Sequence, residues 1–197
     1  MTLLSTLRAA TLGLMLVSSL GQAALAQDTI VEALGVPGPI EFMDDSYALS
    51  WASHPTPDYF KQEYLPEGQQ SESYAAMFMV DALTSEATPQ GAANTQIAAL
   101  DQRKPTDPMV NYNQISNPDT GEVILDFLLS DDSGPTPILE WNAYRYTALG
   151  DGIALYAISR RAYGDDVEAF IGQLSQMRQG NISALAEFDL PPVTPAE

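Results

Sequence analysis

The stretch from Val110 to Tyr163 sets the fold. It reads as four consecutive β-strands joined by turns, with the rest of the chain packed onto them. The turn signals are Asn117-Pro118-Asp119-Thr120-Gly121 and Gly150-Asp151-Gly152, built from residues that supply a positive φ, a preset φ or a side-chain bond to the backbone. After a first strand over Met109 to Ser116 come apolar, β-rich segments over Val123 to Leu129, Ile138 to Tyr146 and Ile153 to Ser159. With the last hairpin tip at Gly150-Asp151, Glu140 faces Arg161, Trp141 faces Arg160, Asn142 faces Ser159 and Arg145 faces Tyr156. That register joins an opposite-charge pair and sets a cation over an indole, contacts worth about 0.2–1 kcal/mol each. A slip of one residue spoils both.

Upstream, Ile40 to Met43 and the alternating Tyr47-Ala48-Leu49-Ser50-Trp51 predict a small hairpin. The segment from Ser53 to Ser73, with Pro55, Pro57, Pro66 and Gly68, reads as a long loop, with room for one short strand or turn of helix, that covers a core edge. Tyr74 to Leu83 is apolar on both faces, as in a central strand covered on both sides. Thr88-Pro89 is an N-cap followed by proline at the first helical position. Ala93, Ile97 and Leu100 supply the buried stripe of that helix, and Pro105 stops it. Downstream, Asp165 is read as the cap of a second helix, with Glu168 as its capping-box partner and Val167, Phe170, Ile171, Leu174 and Met177 as its buried face. Gly180-Asn181 is read as a break before a short last helix from about Ser183 to Phe188.

Residues 1–26 combine Arg8, an apolar run from Ala9 to Val17 and the small-x-small end Ala24-Leu25-Ala26. This is the layout of a removable export signal, and the run is shorter than the roughly 20 residues of a membrane span. The expected organisation is a signal over 1–26, a single α+β domain over 27–190 and a loose tail over 191–197, with no membrane span once the signal is gone. The expected location is the periplasm or outside the cell. The chain carries 8 Lys and Arg against 26 Asp and Glu, a net charge of −18. Such a charge opposes nucleic acid and anionic lipid, which recruit cation clusters. There is no cysteine, which removes thiol catalysis and thiolate metal sites.

Few residues suggest chemistry. His54 is the sole histidine, read as a loop residue, so neither a zinc site nor a Ser-His-Asp triad is expected. No catalytic set, metal site or cofactor is assigned. Asp131-Asp132-Ser133-Gly134 offers at most a weak calcium loop. Asp126 interrupts Leu125-Asp126-Phe127 on an apolar strand. It is read either as paired with an arginine of the meander or as an acid or base with a raised pKa. The few cations concentrate at Arg145, Arg160 and Arg161, so a contact surface of Trp141, Tyr144, Arg145 and Arg160 is the candidate binding site. Its partner is an unknown protein or a small anionic ligand.

The element order predicts an α+β fold with a mostly antiparallel sheet and helices packed on both faces. The layout from Tyr47-Ala48-Leu49-Ser50-Trp51 through Leu125-Asp126-Phe127 and Arg145-Tyr146 to the closing helix resembles the PsbP-like proteins. That resemblance implies an α/β/α sandwich. It also implies the role of that family of exported accessory proteins, which includes extrinsic subunits of photosystem II and is largely non-enzymatic. The export signal, the compact acidic domain and the lack of a nucleophile–base set give the expected function: an exported, non-catalytic accessory or binding protein. The alternative is a hydrolase or isomerase that uses carboxylates, with Asp126 as the acid or base.

Overall fold

Between β4 (Ala76–Leu83) and β5 (Asn111–Ser116) the chain passes by way of α1 (Pro89–Arg103) from the centre of the sheet to its far edge, then returns strand by strand. The computed structural model describes residues 30–196. The export signal expected over 1–26 lies outside the described residues. The remaining elements are β1 (Ile40–Phe42), β2 (Asp45–Thr56), β3 (Tyr59–Leu65), β6 (Val123–Asp131), β7 (Ile138–Leu149), β8 (Gly152–Tyr163) and α2 (Asp166–Glu187). All eight strands form one antiparallel sheet in the order β1-β2-β3-β4-β8-β7-β6-β5.

The four-stranded meander forms as the turn residues and alternation predict. Gly150 adopts φ 59° at the hairpin tip, a value that costs glycine nothing. Glu140 faces Arg161, Trp141 faces Arg160 and Arg145 faces Tyr156, the register read from the charges. β8 then joins β4 at the centre of the sheet, where Gly152 is required by space. A Cβ at that position would stand 1.9 Å from the Leu83 carbonyl oxygen.

The α/β/α sandwich with helices packed on both faces does not form. The protein is an eight-stranded antiparallel half-barrel with two helices among the described residues. The reason lies in Ser53 to Ser73, expected as a loop. It instead extends β2 to Thr56 and supplies all of β3, and a sheet this wide and twisted curls. Neither helix is a layer. α1 buries Ala93 and Leu100, and α2 buries Asn181 and Leu185. Much of the cover is irregular chain instead: Leu34 and Val36 before β1, and Phe188, Leu190 and Val193 after α2.

Two clusters fill the sides of the sheet. The first joins Phe42, Tyr47, Phe78, Val80, Trp141 and Ile158 to the irregular segments and to Leu185. The second sets Leu125, Phe127, Leu155 and Ala157 against Ala93 and Leu100 of α1. α1 starts as expected, with the Thr88 hydroxyl accepting from the Gly91 amide at 3.1 Å. α2 departs from expectation three times, first in that Ile171, expected on its buried face, is exposed. Asp165 makes no side-chain cap bond, although Asp166 and Glu168 complement the dipole of the first turn. The helix also runs unbroken through Gly180-Asn181, because Asn181 is buried, donates to the Met177 carbonyl at 2.8 Å and accepts from Arg160.

The tail expected to be loose is tied down. Thr194 and Ala196 amides donate to the Leu34 and Ala33 carbonyls at 2.7 and 2.8 Å, and the Tyr156 hydroxyl donates to the Pro191 carbonyl.

Candidate functional site

Side chains alternate across each strand, so Trp141 and Arg145 point to the side of the first cluster and Tyr144 to that of the second. The four residues expected to share a contact surface are therefore divided between the two sides of the sheet. Trp141 is 1% exposed and has no room to act as a surface contact. Arg145 binds Glu122 at 3.0 Å and donates to the Leu185 and Phe188 carbonyls at 2.8 and 3.1 Å, fixing the end of α2. Arg160 reaches Asp45 at 3.4 Å and the Asn181 side-chain oxygen at 3.3 Å. Arg161 pairs with Glu140, as the register predicts, and its guanidinium lies 4.1 Å from the centre of the Tyr74 ring, whereas the expected stacking of Arg160 over the Trp141 indole is not found among the described residues. His54 is not in a loop. It lies in β2 and stacks on Phe60 with ring centres 3.9 Å apart.

Asp126 is 0% exposed. Its partner is Arg178 of α2, not an arginine of the meander, because its position on β6 points toward that helix. The Trp141 indole donates to the same carboxylate oxygen at 3.4 Å, and the other oxygen has no partner. A cleft of about 550 Å³ opens beside this pair between α2 and β5, with Ile115 and Ile171 exposed at its rim.

A second buried acid escaped the sequence reading. Asp81 sits in β4 on the side of the second cluster, 7% exposed. Its Oδ2 accepts the Tyr59 hydroxyl at 2.7 Å, and its Oδ1 has no partner. It lies in a cavity of about 310 Å³ whose wall includes Tyr59, Lys61, Gln96 of α1, Tyr144 and Tyr146, with Met79 and Leu155 as apolar surface. Burial pushes the Asp81 carboxyl up to about 6, while nearby Lys61 and the Tyr59 hydrogen bond act in the opposite direction. Burial also raises Tyr59, Tyr144 and Tyr146 far above the ordinary phenol value, so these hydroxyls keep their protons. The signal available in the sequence was a carboxylate inside a strand apolar on both faces, the same signal that singled out Asp126.

This pocket brings together a buried acceptor with a free oxygen, a cation, an amide and three phenols around an apolar wall. Such an arrangement orients a small ligand by a few polar contacts and holds its body by contact area. Of the residues singled out in the sequence, it contains Tyr144.

No curated protein and no solved structure matches the chain. Nothing links it to the PsbP-like proteins, and the sandwich that the resemblance implied is absent. A protein-family model matches residues 34–190, a span that takes in every strand and both helices of the described residues. The chain belongs to that family.

Proposed function

We propose that this is an exported accessory protein of the periplasm or extracellular space that binds a small ligand in the Asp81 pocket without transforming it. The observation that supports this reading is the free Oδ1 of Asp81 at the wall of a cavity that is, apart from Lys61 and Gln96, aromatic and apolar. An unpartnered buried acceptor is costly, and a ligand donor relieves that cost on binding. Among the described residues no helix is long and apolar enough to cross a membrane.

Native mass spectrometry tests the proposal on protein recovered from its export compartment. Wild type is expected to carry a small-molecule adduct. Gln96→Trp, which plugs the pocket from the half-buried face of α1, loses it. The same adduct on both proteins, or none on either, overturns the reading.

The alternative is a carboxylate-dependent hydrolase or isomerase centred on Asp126. In its favour, Asp126 meets an arginine beside a cleft. Against it, Arg178 and Trp141 both occupy the same carboxylate oxygen, which is the geometry of a structural ion pair. Its test is Asp126→Asn: an identified activity that survives the substitution removes it.

A further inference from the structure

Lys61 and Asp81 are directly facing partners in the β3–β4 ladder, and facing Cα atoms in such ladders lie about 4.5–5.5 Å apart. Both line the cavity. Asp81 keeps Oδ1 without a partner. Lys61 enters none of the ion pairs found among the described residues. One wall of the pocket therefore presents an anion and a cation side by side, each with unused bonding capacity.

Resting on the binding reading above, we propose that the ligand is a small zwitterion of the amino-acid class, its ammonium on Asp81 Oδ1 and its carboxylate on Lys61 Nζ. A simple amine would satisfy Asp81 but face Lys61 with like charge. A simple carboxylate would satisfy Lys61 but face Asp81. Among charged ligands, one carrying both signs meets no like charge at either group and leaves the balance between Asp81 and Lys61 intact. Tyr59, Tyr144 and Tyr146 in the wall supply aromatic rings, whose faces attract an ammonium group. Met79 and Leu155 offer contact to an apolar side chain. The cavity of about 310 Å³ equals the liquid volume of about ten water molecules, which suits a free amino acid and is too small for a folded peptide. Glu63, on the same side of β3 but outside the cavity wall, adds negative potential that favours the ammonium end.

The test uses matched probes and the methyl NMR signals of Met79, Leu83, Ile153 and Leu155, which report on the pocket. Leucine and phenylalanine are compared with their amines, isoamylamine and phenethylamine, and with their acids, isocaproate and hydrocinnamate. Phenol serves as an uncharged control. The zwitterions are expected to shift these signals saturably and to bind at least about tenfold more tightly than either analogue. Lys61→Met is expected to abolish the preference over the amines, and Asp81→Asn the preference over the acids. An amine or acid that binds wild type as tightly as its parent overturns the proposal. Phenol shifting the methyls while no zwitterion does overturns the zwitterion and leaves the binding reading in place. If no probe shifts any of these signals, both are removed.

Discussion

Tyr59 donates its hydroxyl to Asp81 Oδ2 at 2.7 Å across adjacent strands, yet the carboxyl pKa still stands near 6 instead of the ordinary 3.8. Burial outweighs the hydrogen bond and the Lys61 charge together. Between those two pH values the folded protein holds a proton that the unfolded chain has released. Stability therefore falls as pH rises through this window, and above about 6 the full cost is present, on the order of 3 kcal/mol. Asp81→Asn keeps an acceptor for Tyr59 and removes the charge. It should be more stable than wild type at pH 7.5 by roughly 1–3 kcal/mol, with the gain gone by about pH 4. Urea unfolding at both pH values checks this; a gain of equal size at the two would contradict it.

Gly172 and Gly180 lie inside α2, and a Cβ at either position would meet nothing within 4 Å. Each glycine weakens the helix by its backbone freedom alone. Gly172→Ala and Gly180→Ala should each stabilise by about 0.5–1 kcal/mol. Their effects should add, since the two sites share no partner. Thermal melts of the single and double variants measure both points.

The same position shows where the sequence could be read and where it could not. Gly180-Asn181 has the local look of a helix end, but Asn181 is held by Met177 and by Arg160 of β8, a strand remote in sequence. β3 was lost for a similar reason. Its inward residue Gln62 is polar and breaks the alternation, and what satisfies it is the Ala33 amide, the Val36 carbonyl and the Tyr64 hydroxyl. The meander was legible because its signals are local, in turn chemistry and facing charges. Asp126 was visible as an oddity, but its partner on α2 was not. Asp81 carries the same signal as Asp126, but its partner Tyr59 and its neighbour Lys61 lie on β3, the strand whose local pattern reads as a loop.

Arg145 holds three acceptors from two segments: the Glu122 carboxylate and the carbonyls of Leu185 and Phe188. A lysine keeps the charge but not the planar fork that reaches all three. Arg145→Lys should cost roughly 2–4 kcal/mol, because it leaves part-buried acceptors unpaired. Hydrogen exchange should quicken first over the last turn of α2, a local signature that general destabilisation does not give.

Asp126 and Arg178 form an unequal pair. The acid is fully buried, whereas the arginine side chain is 34% exposed. Removing either one breaks the same contact, but what remains differs. Arg178→Met leaves a carboxylate with only the long Trp141 hydrogen bond, and an uncompensated buried charge costs about 3–5 kcal/mol. Asp126→Asn leaves a guanidinium that can turn toward water, and the amide oxygen can still accept from Trp141. Its cost should be nearer 1 kcal/mol, as for a part-exposed pair. The double variant should be less damaged than Arg178→Met alone, since the buried charge is gone. Denaturant unfolding of the three variants at pH 7.5 decides the matter. If Asp126→Asn proves the more destabilising single change, burial of the carboxylate does not govern this pair.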